Sequence, residues 1–554
     1  MGSCANQGAG AHCLHGRAIH TLLDLSIATL IDSLTVMRNI WTWRALTSAL
    51  TTALLLGCRG AEMTVAPVVP VVPTPPAAIT VPTLPREFRG LWIATVGNID
   101  WPSRTGLTVA AQQAELTAIL DLARTTGLNA IVLQVRASGD ALFPSVLEPW
   151  TKSFSGTQGV SPGWDPLAFA VTEAHERGLE LHAWFNPFRA ANLSDSAKLD
   201  AQHLAKRRPD LTRVYCSQLW FDPGEPAVQD QAITVIDDVV RRYDVDAVHL
   251  DDFFYPYPET RCPNLDFPDT ALFARYRAGG GAMAKDDWRR DNVNRFVERL
   301  AREVHGVRAT TRVGISPFGI WRPGNPVGVV GLDSYATLFA DSRTWLQRGW
   351  VDYLAPQLYW SIASTGQSFP ALVDWWSQQN AMRRHFWPGL AAYRVSDGSS
   401  SAYTSSEIVS QVTLARTRSA SAGGPTGTVL YNTSVLKQNR DALASSLRTG
   451  VYADGAVVPA TPWLDATVPS TPTISVTTVG QVLRLSISGD GGKALAWWAV
   501  RWRNGSGWTL RLVPSDLGSV DIPTSVLTIV TDAVVIQAID RVGNASVPAL
   551  WRMP

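Results

Sequence analysis

Between Arg89 and Tyr431, eight short apolar segments alternate with helical patterns, which predicts an α/β fold whose parallel strands close into a (β/α)8 TIM barrel. After Trp463 the pattern changes to short strands with no helices between them, predicting a second, small all-β sandwich. A third observation, the placement of polar residues within the barrel strands, marks the face where function should lie.

The barrel strands are expected over Leu91–Thr95, Ala130–Arg136, Glu180–Asn186, Ala247–Asp252, Arg312–Ser316, Tyr353–Gln357, Phe386–Leu390 and Gly427–Tyr431. Helix signals separate them. Asp165 precedes Pro166-Leu167, with Leu167, Ala170, Val171 and Ala174 on one face and Gly178 as the stop, while Thr108 and Gly127 bracket another helix. The period of two along a strand divides helix-facing from barrel-facing positions. Ile131, Leu133 and Val135 face out while Val132, Gln134 and Arg136 face in; Leu181, Ala183 and Phe185 face out while His182, Trp184 and Asn186 face in. Val248 and Leu250 likewise oppose His249 and Asp251, and Gln357 and Tyr359 repeat the inward pattern on strand six. Inward polar residues late in a strand lie at the carboxyl face, where barrel enzymes hold their active sites; a core alone would place branched apolar residues there.

The segments from the start of strand three to strand four, and from four to five, run to about 65 residues each against ~30 in a minimal barrel, so they should wall a cleft. Aromatic residues gather in these and neighbouring loops: Trp164, Trp220, Phe253, Phe254, Tyr255, Tyr257, Trp321, Tyr359 and Trp360. Sugar rings present axial hydrogens to such faces. In the sandwich, Leu483, Leu485 and Ile487 alternate with Arg484 and Ser486, and Trp498 reads as core. That module resembles fibronectin type III or immunoglobulin-like domains and carries no catalytic constellation. It is expected to be a spacer or accessory wall, with Trp497 and Trp508 as candidate sugar contacts.

Composition narrows the function. Of the 554 residues 46% are hydrophobic and 17% charged, against a typical ~25%, which excludes disorder throughout. With 48 basic and 47 acidic residues, the net charge of +1 gives no broad positive field for a phosphate backbone, so no nucleic-acid partner is expected. The 22 Trp suggest flat apolar surfaces offered to a ligand such as a sugar.

Met37 opens Met-Arg-Asn-Ile-Trp-Thr-Trp-Arg, followed by the apolar run Ala45–Leu56 and Leu55-Leu56-Gly57-Cys58, a pattern built like a secretory signal. The run is too short to span a bilayer comfortably. Leu-Leu-Gly-Cys resembles a bacterial lipobox, which implies cleavage before Cys58 and lipid on its thiol. The expected organisation is an extension over 1–36, the signal over 37–58, a Pro-rich linker over 59–86, the barrel over 87–462 and the sandwich over 463–554. Pro67, Pro70, Pro73, Pro75 and Pro76 favour an extended stalk. The expectation is a monomer in the cell envelope, held to a membrane by its lipid. Cys216 and Cys262 fall in the folded part; an oxidising envelope permits a disulfide, and the sequence leaves open a bridge or two separate thiols.

Arg86-Glu87-Phe88-Arg89-Gly90-Leu91-Trp92-Ile93-Ala94-Thr95 with Asn98-Ile99-Asp100-Trp101-Pro102, Leu133-Gln134-Val135-Arg136, Glu148-Pro149-Trp150 and Leu181-His182-Ala183-Trp184-Phe185-Asn186-Pro187 form one series of motifs. It continues in His249-Leu250-Asp251-Asp252-Phe253-Phe254-Tyr255-Pro256, Gly314-Ile315-Ser316-Pro317-Phe318-Gly319-Ile320-Trp321-Arg322-Pro323 and Ala355-Pro356-Gln357-Leu358-Tyr359-Trp360. In this order they resemble the bacterial glycosyl-hydrolase-like family ten, over Arg86 to Pro462. The resemblance implies a TIM barrel in the bacterial envelope, glycosidase activity, and peptidoglycan glycan strands stripped of peptide as the substrate class.

Glycoside cleavage usually needs one carboxylic acid to protonate the leaving oxygen and one carboxylate to attack or activate water. Asp251 and Asp252, ending strand four, are the expected catalytic pair, with Asp251 preferred as nucleophile or base and Asp252 as acid or positioner. Adjacent residues straddle a sugar bond poorly, so Asp100, Asp140, Glu148 and Glu259 stand as alternative partners; an N-acetylated substrate could instead supply its own acetamido oxygen. An ion pair of Asp251 with Arg136 or Arg322 is the structural alternative. Asp100, Gln134, Arg136, His182, Trp184, Asn186, His249, Tyr255, Trp321, Gln357 and Tyr359 are assigned to substrate binding. No metal or cofactor is expected. Two rivals remain: a non-catalytic glycan-binding lipoprotein, and a metal-dependent carbohydrate deacetylase using the Asp pair with His249, although no His-x-x-x-His occurs.

Overall fold

The computed structural model describes residues 79–489, 494–526 and 529–553. The expected extension, the signal with Cys58 and the linker as far as residue 78 lie outside the described residues.

Eight staves form the barrel: β1 (Phe88–Ile93), β2 (Ala130–Arg136), β3 (Glu180–Phe185), β4 (Ala247–Leu250), β5 (Arg312–Ile315), β6 (Tyr353–Leu354), β7 in two pieces (His385–Phe386 and Gly389–Leu390) and β8 (Gly427–Leu430). All neighbours pair in parallel. The first piece of β7 pairs with β6 and the second with β8, so the ring closes. Pro388 has no N–H to give the ladder, which accounts for the break. β1, β3, β4, β5, β6 and β8 end one to three residues earlier than the sequence pattern suggests, because the residues there turn into the loops of the mouth.

Strand parity holds. Ile131, Leu133, Val135, Leu181, Ala183, Val248 and Leu250 pack against the helices, while Phe88, Trp92, Val132, Trp184, Ala247, Tyr353 and Trp387 fill the lumen. Two lumen glycines make room for the largest rings. A Cβ on Gly314 would lie 2.0 Å from Cζ of Tyr353, and one on Gly389 would lie 2.8 Å from Cη2 of Trp92. The expected helices are also present: Thr108 caps Val109–Thr126, and Asp165 accepts the N–H groups of Leu167 and Ala168 at the start of Pro166–Glu176.

The long segment after β3 folds into a three-stranded antiparallel sheet of Arg189–Ala191, Gln218–Phe221 and Thr212–Tyr215. A Cys216–Cys262 disulfide ties it to the loop after β4, with Cα atoms 5.9 Å apart.

The carboxyl-terminal all-β domain pairs Thr473–Val479, Val482–Ser488 and Ser519–Pro523 in one sheet and Leu495–Asn504, Gly507–Pro514 and Ile529–Asp540 in another. Trp498 lies in its core, as expected. The domain does not wall the cleft. Its contacts fall on residues that precede barrel strands: Arg541 pairs with Asp244 and Asp246 before β4, Trp497 packs edge-on to His175 before β3, and Leu512 approaches Gly178. This is the amino end of the barrel, opposite the face where a substrate binds. Trp497 is buried in that contact and is no sugar platform. The end of the expected stalk is docked there too: Arg501 donates to the Pro82 carbonyl, and Arg86 to the carbonyls of Val458 and Gly543.

His175 and Asp246 make this contact depend on pH. Burial opposes charge on His175, but the Asp246 carboxylate 2.9 Å from Nε2 more than reverses it and raises its proton affinity. A raised histidine contributes stability that is fully present below its unfolded value of about 6.5 and lost as pH rises through the folded value. His175→Gln is therefore expected to lower stability by about 1.5–3 kcal/mol at pH 6, with the gap from wild type narrowing toward pH 9. Melting curves of both proteins across that range check it; a gap that widens with pH would contradict the pairing.

Candidate active site

Asp251 and Asp252 stand just past the last residue of β4, at the carboxyl mouth. They line a pocket of about 230 Å³ with Ser316 and Gln357 and with the rings of Trp92, Trp184, Phe253, Tyr257, Tyr359 and Tyr431. Both residues are buried, only 8% and 5% exposed. Asp251 Oδ1 accepts the backbone N–H of Asp252 at 2.9 Å and the Gln357 amide at 3.3 Å; that amide also donates to the Ser316 carbonyl. Asp252 accepts a short hydrogen bond from the Tyr257 hydroxyl.

Burial, and then the charge of Asp252, push the proton affinity of Asp251 well above the ordinary carboxylate range. Burial raises Asp252 as well, but hydrogen bonds from Asp251 and Tyr257 favour its ionised form. Burial and Asp252 together thus favour the protonated form of Asp251 more strongly than burial favours that of Asp252. A carboxyl whose protonated form is favoured by burial and a charged neighbour suits the acid role, against the sequence preference for Asp251 as base. No ion pair joins Asp251 to Arg136 or Arg322 among the described residues; Arg136 is taken by Glu148 and Arg322 by Asp333.

A polar column supports the floor from below. The indole N–H of Trp92 can only donate, and it points at Nε2 of His249 at 3.2 Å. That nitrogen therefore carries the lone pair, and Nδ1 carries the hydrogen, donated to the Tyr353 hydroxyl at 2.9 Å. Tyr353 in turn donates to Nδ1 of His182 at 3.0 Å, leaving Nε2–H of His182 to donate to Glu180 at 3.1 Å. Burial holds both imidazoles neutral. Glu180 closes the column on Arg312 with hydrogen bonds of 2.6 and 2.8 Å.

Of the residues assigned from sequence, Asp251, Asp252, Trp184, Gln357 and Tyr359 meet in the pocket. His249 lies beneath it, and Asn186 holds Trp184 by accepting its indole N–H at 2.9 Å. The others are corrected. Gln134 is buried and accepts the N–H groups of Thr95 and Val96, fixing the turn after β1. Arg136 is buried against Glu148 and the carbonyls of Asn186 and Pro187, which removes both charged groups from the candidate list. His182 lies deep in the column rather than at the rim. Asp100 holds the same turn as Gln134 by accepting the Ala94 N–H, its carboxyl pushed up to about 6 by burial. Tyr255 packs edge-on between Phe267 and Phe339. Trp321 stacks on Trp375 and donates to Asp341, outside the pocket lining. Asp140 accepts from Gln158, and Glu259 pairs with Arg261 and Gln218 beside the disulfide.

Trp92, Phe253, Tyr257, Ser316 and Tyr431 also line the pocket but were not assigned to the site, although Phe253 and Tyr257 were among the cleft aromatics; all five sit at or past the carboxyl end of a stave, a signal that position along the strand carries. Arg189 was missed as well. It follows β3 and stacks over the Phe253 ring at 4.4 Å.

The family Glycosyl hydrolase-like 10 matches residues 87–404. The chain belongs to that family. It is 40% identical over 402 residues to the glycosyl hydrolase YngK of Bacillus subtilis strain 168, covering 71% of this chain and 77% of that one. It is 32% identical over 335 residues to the glycosyl hydrolase DigH of Escherichia coli K12, covering 57% of this chain and 75% of that one. Among solved structures, the PgaB (BpsB) glycoside hydrolase domain of Bordetella bronchiseptica aligns with a TM-score of 0.42 at 13% identity, over 66% of this chain and 98% of that one. Membership of Glycosyl hydrolase-like 10 makes the chain a glycoside hydrolase. The deacetylase rival loses its ligand here: the Nε2 lone pair of His249 faces the Trp92 N–H, and Nδ1 is bound to Tyr353.

Proposed function

We propose that this glycoside hydrolase cleaves bacterial cell-wall glycan strands free of peptide, working in the envelope from a lipid carried on Cys58. The observation that carries the reading is the proton-sharing Asp251–Asp252 pair at the bottom of an aromatic pocket of sugar-ring size. A protein that only binds glycan has no need of a buried carboxylic acid beside a carboxylate, which favours catalysis over the binding-only alternative.

Two carboxyls close enough to share a hydrogen bond cannot take opposite faces of a glycosidic bond, where a retaining pair stands about 5–5.5 Å apart. N-acetylated sugars remove the difficulty. The acetamido oxygen attacks the anomeric carbon while the proton of Asp251 passes to the departing glycosidic oxygen, and the Asp252 carboxylate receives the acetamido N–H. Water then opens the cyclic intermediate and returns a proton to Asp251, so the dyad ends as it began. Mass spectrometry of products from peptide-free strands tests this. A reducing sugar end on each product is expected; an anhydro end indicates lytic cleavage, and released acetate without chain scission would sink the reading.

A further inference from the structure

Arg189 lies within the electrostatic reach of both Asp251 and Asp252, and among the described residues it has no ion-pair partner of its own. It follows Asn186-Pro187-Phe188 at the carboxyl end of β3, half-buried, with its guanidinium flat on Phe253, a pocket-lining ring. Among the described residues its one side-chain hydrogen bond runs from Nη2 to Asn192 Oδ1 at 2.8 Å, and it forms no ion pair. Among the described residues the other N–H groups of the fork have no protein acceptor. Burial disfavours its charge more than the fields of Asp251 and Asp252 favour it, so an arriving carboxylate would be welcome. Such a cation also suits the site, since an acidic substituent brought beside two carboxyl groups is repelled by any charge they carry unless a positive group intervenes.

We infer that Arg189 selects strands lacking peptide, by a forked hydrogen-bonded pair with the free lactyl carboxylate of a muramic acid ring bound beside the Asp251–Asp252 pocket. This rests on the substrate reading above and extends it. Peptide attachment turns that carboxylate into an amide, which removes the charge Arg189 reads and adds bulk over Phe253. A planar guanidinium meets a carboxylate with two parallel bonds, which a lysine ammonium cannot do.

The test uses the full chain and two matched substrates: peptide-free strands with free lactyl carboxylates, and the same strands with those carboxylates converted to methylamides. KM and kcat are read from the release of reducing ends. Wild type is expected to show a KM about tenfold or more lower for the free acid. Arg189→Gln should bring the KM ratio close to one by raising KM for the free acid, and Arg189→Lys should restore part of the discrimination. Equal KM values in wild type overturn the inference without any variant, and so does a ratio that survives Arg189→Gln. An equal fall of kcat on both substrates with the ratio kept would mean that Arg189 acts only on the Asp pair. Turnover without discrimination leaves the substrate reading standing, whereas no product from either strand removes both.

Discussion

Asp251→Asn is expected to lower kcat on peptide-free glycan strands by about 10³-fold, within the 10²–10⁴ range that a positioned acid contributes, while glycan binding persists. The amide fills the same space and can still accept the Asp252 N–H and the Gln357 amide. What it lacks is the transferable proton. Asp252→Asn should be comparably slow for the opposite reason, since a neutral amide cannot serve as the charged partner of Asp251. The pH profile separates the two. Asp251 must keep its proton, so activity falls as pH rises through a value that burial and Asp252 have raised; Asp252 must be ionised, so activity falls as pH drops through its own raised value. The resulting bell belongs to the pair and lies on the alkaline side of ordinary carboxylates. Initial rates across pH 4–9 with calorimetric glycan binding check these points. Turnover by Asp251→Asn within tenfold of wild type would overturn the assignment.

The sequence carried the barrel because its two periods are physical: alternation divides lumen from helix layer, and caps such as Thr108 and Asp165 mark where helices begin. It carried depth poorly. Gln134, Arg136 and His182 point inward as parity requires, yet each is satisfied by the protein: a turn, a buried Glu148, a column of hydroxyl and imidazole groups. Parity gives direction, and only distance from the strand end gives the layer. Trp92 and Tyr431 show the converse, for inward aromatics at the last positions of β1 and after β8 look like core until closure of the ring brings them over Asp251. Arg189 had no periodic signal, because it opens a three-residue strand whose pairing with Trp220 is non-local. The docking of the all-β domain on the amino end was equally hidden, since it depends on residues far apart in sequence, such as Asp246 and Arg541.

Glu180→Gln is expected to destabilise the fold by about 3–5 kcal/mol, the usual penalty for stranding one member of a buried ion pair. Arg312 is fully buried at the start of β5 and finds both oxygens of Glu180 across the lumen. Burial alone would raise the carboxyl of Glu180, but Arg312 overcomes it and holds it below its ordinary range. The glutamine amide keeps an acceptor for Nε2–H of His182, so the imidazole is spared and the penalty falls on the guanidinium, which loses its ion-pair partner and keeps only the longer-range field of Asp246. Replacing both partners, as Glu180→Leu with Arg312→Met, should be milder than the single change. It removes the unpaired charge and leaves only the His182 N–H without an acceptor, at about 1–3 kcal/mol. Urea midpoints at pH 7 for wild type, single and double variants decide the matter. A single variant within about 1 kcal/mol of wild type would mean that water reaches Arg312, and the lumen would then be wetter than the close packing of Phe88, Tyr353 and Trp387 allows. The same experiment bears on function, because the column from Glu180 through His182 and Tyr353 fixes the tautomer of His249, and that tautomer gives the Trp92 indole its acceptor under the sugar pocket. A looser Trp92 is expected to raise KM before it lowers kcat, since the ring lines the pocket and has no proton to exchange with the Asp pair.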